Sequence, residues 1–247
     1  MNNTIYGNDR GPVVIAKSAV PVILVPNGTV ATSGVITLGA ALLTIYANAW
    51  IYLPAGAVVG GLAGLYLCQF TSTTVGQVMT NYMAAANAGP QFVPTVIGNP
   101  LPAVGSNSGY TQTTGANVNL ASILIPAGTM GVNGSLRIQS ANSCSNSAGN
   151  KIASLYMPSG TLVWTQTMTT TTYYEELITM CNRGVLNSQI STKSANAGPG
   201  AVAWASSQLT TINTAVDNLL IFTGQLAAVT DALVLEMLSV EVLPMTS

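Results

Sequence analysis

The stretch Ala232-Leu-Val-Leu-Glu-Met-Leu-Ser-Val-Glu-Val-Leu243 decides the fold. In an extended chain successive side chains alternate between two faces, so Leu238, Val240 and Val242 share one face while Ser239 and Glu241 take the other. Upstream, Leu233, Leu235 and Met237 occupy the opposite parity with Glu236 facing out. The pattern therefore slips by one residue between 236 and 239, which predicts a strand carrying a β-bulge. On a 3.6-residue wheel the same apolar residues spread around all sides, so a helix has no face to bury.

Working outward, the apolar runs are short and rich in β-branched or aromatic residues: 13–16, 20–25, 51–53, 65–70, 118–125, 162–167, 173–180 and 219–222. Such lengths and compositions predict strands. Pro26-Asn-Gly-Thr29, Pro54-Ala-Gly56, Pro126-Ala-Gly-Thr129 and Pro158-Ser-Gly-Thr161 each follow a run and read as turns, with proline presetting φ and glycine free to take positive φ. Asn133-Gly134 adds a hairpin signal. One short helix is expected at Met79 to Ala88, where alanine dominates, and residues 84–109 hold four prolines and four glycines. The expectation is an all-β protein of two β-sandwich units joined by a Pro/Gly-rich linker: an uncharged N-terminal unit at 1–88, the linker at 89–109 and a C-terminal sandwich at 110–247. A fragment starting near residue 105 is expected to fold alone.

Composition narrows function. Of 247 residues only 6 are Lys or Arg and 7 are Asp or Glu, and there is no His. Charged residues make up 5%, against about a quarter in ordinary soluble domains. Thr, Ser, Asn and Gln together number 78, so the polar surface is made of hydroxyls and amides. Residues 18–136 are 119 consecutive uncharged positions, and the basic residues Arg10, Lys17, Arg137, Lys151, Arg183 and Lys193 are scattered. Nucleic acid, which needs a clustered basic footprint, is not an expected partner.

Without His, the Ser-His-Asp, Cys-His and His-rich zinc designs are absent. No P-loop or G-x-S-x-G string occurs. Paired carboxylates remain to be placed, because glycoside hydrolysis needs only two. The candidates are Glu175, Glu176, Asp217, Asp231, Glu236 and Glu241. Adjacent Glu175 and Glu176 face opposite ways on a strand and read as solvated charges near Arg183. No enzyme activity, catalytic residue, cofactor or metal is expected. Trp204, after the Gly198-Pro-Gly200 loop, is the candidate for stacking on a sugar.

Cys68, Cys144 and Cys181 form no metal or redox spacing and read as buried free thiols, with a Cys144–Cys181 bridge left open. Ile51 to Phe70 is mostly apolar and of spanning length. Its glycines, its proline and the lack of flanking Lys or Arg favour strand, turn, strand over a membrane helix. The first residues lack the basic and apolar regions of a secretory leader, so synthesis in a reducing cytoplasm is expected.

The strings VPNGTVATSGVITLG (25–39), IYLPAGAVVGGLAGLYLCQF (51–70), ILIPAGTMGVNGSLRIQS (123–140), NSAGNKI (146–152) and LSVEVLP (238–244) resemble structural proteins of tailed-bacteriophage virions. The closest correspondence is Pro126 to Ile138 with Asn146 to Lys151. The resemblance implies a jelly-roll-like or related β-sandwich in a virion, often a trimer, and brings no catalytic residue. Two roles follow as expectations. One is a capsid decoration (cement) protein or short head fibre that docks on the major capsid protein through its uncharged N-terminal unit. The other is a tail-fibre tip or adhesin that recognises a host-surface glycan. Uncharged surfaces avoid the cost of burying ions, so either role permits wide interfaces with little salt sensitivity.

Overall fold

In the computed structural model the segment that opened the sequence reading is β17 (Leu233–Leu243). It pairs with β10 (Ser135–Cys144), where Ala141 lies opposite Met237 and Asn142 opposite Leu235, so Glu236 is the extra residue of a bulge. The bulge keeps one face continuous: Leu233 and Leu235 before it, and Leu238, Val240 and Val242 after it, all enter the same core. The structure describes residues 13–18, 21–31, 33–54, 57, 63–81, 108–111, 114–158, 160–193 and 208–243.

Around β17 the chain builds an all-β sandwich. One sheet runs β2 (Val22–Leu24), β17, β10, β13 (Tyr173–Asn182). The facing sheet runs β9 (Val118–Ile125), β16 (Asn218–Leu226), β11 (Lys151–Tyr156), β12 (Leu162–Met168). In chain order β2, β9, β10, the β11–β12 pair, β13, β16 and β17 switch between the sheets, which is jelly-roll connectivity. β1 (Val13–Ser18) lies against the end of β17 beyond β2, and β14 (Gln189–Lys193) and β15 (Gln208–Thr210) extend the sheet past β13.

Between β2 and β9 the chain forms β3 (Asn27–Val30), β4 (Val35–Leu38), β5 (Ala49–Leu53), β6 (Gly64–Phe70), β7 (Val75–Asn81) and β8 (Ser108–Thr111). These strands prolong the large sheet from β2 in the order β5, β6, β7, β4, β3, β8. The jelly roll thus takes its first strands from residues 13–24, and the strands of 27–111 are inserted between its first and second strands.

The insertion shares a wall with the sandwich. On β2, Val22 and Leu24 enter the sandwich core while Ile23 enters a second core with Val30, Ile36, Phe70 and Val78. Trp50 and Leu65 point into the first core, and Ile51, Leu53, Tyr66 and Cys68 into the second. Strands buried on both faces read as continuous apolar runs. That is why 51–70 has the hydropathy of a membrane span although its described residues form β5 and β6, an antiparallel pair; among the described residues no helix is long and apolar enough to cross a membrane.

Several local expectations change. Met79 to Asn81 end β7 instead of opening a helix, because pairing with β6 continues that far, Leu67 opposite Thr80 and Tyr66 opposite Asn81; 82–88 lie outside the described residues, as do 89–107 of the expected linker. Ser108 and Gly109 belong to β8, paired with β3. Pro26 to Thr29 is not a turn: Asn27–Val30 is β3, held between β4 and β8. Of the other proline turns, Gly128 and Gly160 take the expected positive φ (67° and 101°), and residues 55–56 lie outside the described set. Asn133-Gly134 closes no hairpin, because the chain there crosses from the facing sheet to the large one. Gly134 is required by a close approach, since a Cβ there would sit 1.7 Å from the Met130 carbonyl oxygen.

The topology also revises the expectation for a fragment starting at residue 105. That fragment lacks β1 and β2, so it uncovers Leu233, Leu235 and the free edge of β17. It is expected to lose cooperative thermal unfolding and to aggregate; a sharp transition near that of the full chain would contradict the shared wall.

Candidate functional site: the loop end of the jelly roll

At one end of the sandwich three connections meet: 126–134, 183–188 and 211–217. They are held by Gln189 at the start of β14, whose side chain is fully buried. Its Nε2 donates to Asn182 Oδ1 (2.9 Å) and to the Ile212 carbonyl (2.8 Å), and its Oε1 accepts the Ile212 N–H (2.8 Å). Asn182 Nδ2 donates to the Gly131 carbonyl (2.6 Å) and Thr214 Oγ1 (2.9 Å), and Thr214 Oγ1 donates to the Leu186 carbonyl (2.8 Å). Asn218 Nδ2 closes the 211–217 loop through the Asn213 and Val216 carbonyls, and Asp217 Oδ1 accepts the Ala127 N–H. Buried polar groups are costly unless paired, so this saturated set fixes three loops in one arrangement without a buried ion.

Sequence reasoning did not find this network. Its signal is inverted polarity: on β14 Gln189 and Ser191 face inward while Ile190 is only half-buried, and on β15 Thr210 faces inward while Leu209 is 64% exposed. Val185 and Val216 stand exposed on the loops, with Arg183 and Asp217 beside them in sequence and also exposed. None of the three loops contains a Tyr, Trp or Phe. The site offers apolar tips, amides and a single charge of each sign.

The six candidate acids lie apart. Glu175 faces out and accepts Gln139 Nε2 at 2.5 Å. Glu176 is fully buried between the sheets and accepts the Tyr174 hydroxyl, so it is not the solvated charge near Arg183 that the sequence suggested. Its parity on β13 carries it inward with Tyr174 and Ile178. Glu241 pairs with Arg137 across two strands, and Asp217 caps the 126–128 turn. Glu236, at the bulge, accepts Tyr46 and Ser143, tying the insertion to the sandwich by side chains.

Asp231 is fully buried and accepts Ser145 and Ser147; Ser147 Oγ in turn accepts Lys151 Nζ at 2.7 Å. Lys151, also fully buried, donates further to the Ser147 and Gly149 carbonyls (3.1 and 2.8 Å), so its own loop wraps the ammonium. Gly149 is needed there, because a Cβ would come within 2.2 Å of Asp231 Oδ2. Among the described residues no group of three His, Cys, Asp or Glu side chains is arranged to hold a metal.

Cys68, Cys144 and Cys181 are free. Cys144 ends β10 whereas Cys181 lies opposite Ser135 at its other end, a separation of roughly 30 Å at 3.3 Å per residue, which rules out a bridge. Trp164 is buried against Tyr174 and Phe222 (ring centroids 6.3 and 6.2 Å) and Trp50 is buried, so both serve the core. Trp204 lies outside the described residues. Burial pushes the Cys68 thiol and the Tyr46 and Tyr174 phenols well above their ordinary pKa values, with Glu236 and Glu176 adding to the shift at the two tyrosines.

No protein-family model and no curated protein matches the chain. Among solved structures it is similar to the CBM2 module of the evolved Dit of Lactobacillus casei BL23 phage J-1, with 10% identity and a TM-score of 0.29 over 49% of this chain and 67% of that one. It is also similar to dimeric latent PorU from Porphyromonas gingivalis (12% identity, TM-score 0.28), where 95% of this chain overlaps 24% of that one. A third likeness is to infectious bursal disease virus Gx strain (11% identity, TM-score 0.21, 95% of this chain and 81% of that one). Likenesses with TM-scores of 0.21 to 0.29 identify neither family nor function.

Two outcomes are expected. Gln189→Ala orphans the Ile212 N–H and Asn182 Oδ1, and each orphaned buried group costs about 1–3 kcal/mol. Unfolding stability should therefore fall by at least about 2 kcal/mol in urea titration, whereas outward-facing Thr192→Ala stays within about 0.5 kcal/mol. The second concerns pH. Cys68, Tyr46 and Tyr174 hold their protons more tightly folded than unfolded, so their stability contribution is complete below the unfolded values of 9.0 and 10.0 and is lost as pH rises past them. The urea midpoint should be flat from about pH 7 to 8.5 and fall above about 9.

Proposed function

We propose that this chain is a non-enzymatic structural component of a bacteriophage virion, a capsid decoration protein or short head fibre that works as a homo-oligomer, with a trimer favoured. The observation that carries this reading is the loop end of the jelly roll: three loops locked by uncharged amides, tipped with Val185 and Val216 and free of aromatic rings. Binding residues concentrate on loops held by a rigid scaffold. Sugars are gripped by aromatic stacking, which these loops do not offer, whereas apolar tips among amides suit contact between the protein subunits of an assembly; docking on the major capsid protein is assigned to the uncharged N-terminal strands. The jelly roll agrees with this role by analogy only, since the same fold serves capsids and lectins alike.

The expected site of action is the assembled virion, and no nucleic acid or membrane partner is proposed. The 119-residue uncharged run supports burial in an assembly, because hydroxyls and amides join an interface without the desolvation cost of ions. A second reading, a tail-fibre tip or adhesin that binds a host glycan, draws on Tyr173, whose ring is 64% exposed on the outer face of β13.

Gold-labelled antibody raised against this chain and viewed on intact particles by electron microscopy separates the two. Label over the head is the expected result. Label confined to the tail would establish the adhesin, and bare particles would overturn the virion reading.

A further inference from the structure

The short strands β14 and β15 are inverted at the loop end, and β13 joins them only at its last two residues, Cys181 and Asn182. The inward faces of β14 and β15 carry Gln189, Ser191 and Thr210, all buried, and Asn182 is buried beside them at the end of β13, whose inward face is otherwise Tyr174, Glu176, Ile178 and Met180. The outward faces of the three strands carry Leu177 at 42% and Leu209 at 64% exposure, with Ile190 and Cys181 half-buried between them. Register places Cys181, Ile190 and Leu209 side by side in one row, the last outward-facing row before the 183–188 hairpin. That hairpin and the adjoining 211–217 loop add Val185 at 48% and Val216 at 50%. A soluble sheet that faced water here would place these residues the other way round.

Charge indicates what covers the row. Arg183 has no carboxylate within salt-bridge distance among the described residues, and Asp217, on the neighbouring loop, is held only at Oδ1 by the Ala127 N–H. One unpaired cation and one half-engaged anion on the same apolar patch complement each other between two copies of the same surface. Among the described residues β15 is also the end strand of its sheet and pairs with β14 alone, and an edge strand is a ready template for another chain.

We propose that a second copy of this chain seats on the patch formed by Cys181, Ile190, Leu209, Val185 and Val216, with Arg183 of one copy facing Asp217 of the next. The same patch then serves both copies, so the contact is isologous, and Asp217 of the first copy faces Arg183 of the second in return. The proposal rests on the homo-oligomeric part of the function proposed above and names the surface responsible.

Light scattering on the size-exclusion eluate of the full chain provides the test. The unaltered chain should elute as an oligomer. The Leu209→Glu/Val185→Glu variant should dissociate at least tenfold more readily with an unchanged circular dichroism spectrum, and alkylation of Cys181 should speed up in it. Ile45→Glu, on the inserted unit, should leave the oligomer intact. Arg183→Asp and Asp217→Arg should each weaken association and their combination restore it, an outcome that a folding defect would not produce. An oligomer unmoved by these substitutions overturns the surface while leaving the oligomeric reading standing. A monomer from the unaltered chain at about 100 µM overturns both.

Discussion

Burial on both faces of a few strands is the constraint on which the rest of the structure depends. β2, β5 and β6, with the start of β17, separate the sandwich core from the core of the insertion, and each face of that wall must be apolar. Val22 and Leu24 serve one core, Ile23 and Val25 the other. Hydrophobic stabilisation scales with area removed from water, at roughly 25 cal/mol per Å². A wall buried twice contributes from both sides, and this helps a chain with 13 charged residues and no disulfide to hold together the 17 strands of its described residues. The bulge at Glu236 belongs to the same constraint: it restores parity so that β17 keeps feeding one core, and it turns Glu236 toward Tyr46 and Ser143.

The scarcity of charge shapes how polar groups are used. Where an ordinary domain would place ions at its surface, this chain has hydroxyls and amides, and it also spends amides inside. Gln189, Asn182 and Asn218 satisfy loop carbonyls and N–H groups that would otherwise be orphaned at the end of the sandwich. The few ions that are buried come with neutral intermediaries: Ser147 stands between Lys151 and Asp231, and Tyr174 donates to Glu176. Removing one partner of such a set leaves a buried charge uncompensated, which costs more than the set contributes when intact. The Lys151 loop and Asp231 therefore depend on each other, although 80 residues separate them in the chain.

Local periodicity was legible in the sequence wherever one interaction dominated. The phase slip in 232–243 locates the bulge to within two residues, and each of the eight short apolar runs contains strand, although β2 takes only Val22–Leu24 of the run 20–25, because burial of one or both faces leaves a direct imprint on hydropathy. In the sequence β3 has the signature of a turn because Asn27-Gly28 has turn chemistry, yet pairing with β4 and β8 on either side outweighs that local preference. β4 and β11 lie outside those runs too, and β14 and β15 leave no such imprint because their apolar residues point outward, opposite to the usual rule. The jelly-roll order was not legible either, since β1 and β2 find β17 more than two hundred residues later and no local pattern encodes that pairing. The loop site shares the difficulty: Gln189, Ile212 and Gly131 become neighbours only through the fold.

Placing the first strand before the insertion couples the two halves. The sandwich cannot close its large sheet until residues 13–24 reach β17, and the insertion cannot complete its core without Ile23, Val25, Ala232 and Val234. Neither half is therefore a free module on a flexible tether, and a load applied to the loop end of the jelly roll passes through β10, β17 and β2 into the insertion by backbone hydrogen bonds. Such continuity suits a protein that must stay rigid within an assembly. Rigidity then comes from the doubly buried wall, and in the assembly proposed above the uncharged exterior could be covered without a cost for stripping water from ions.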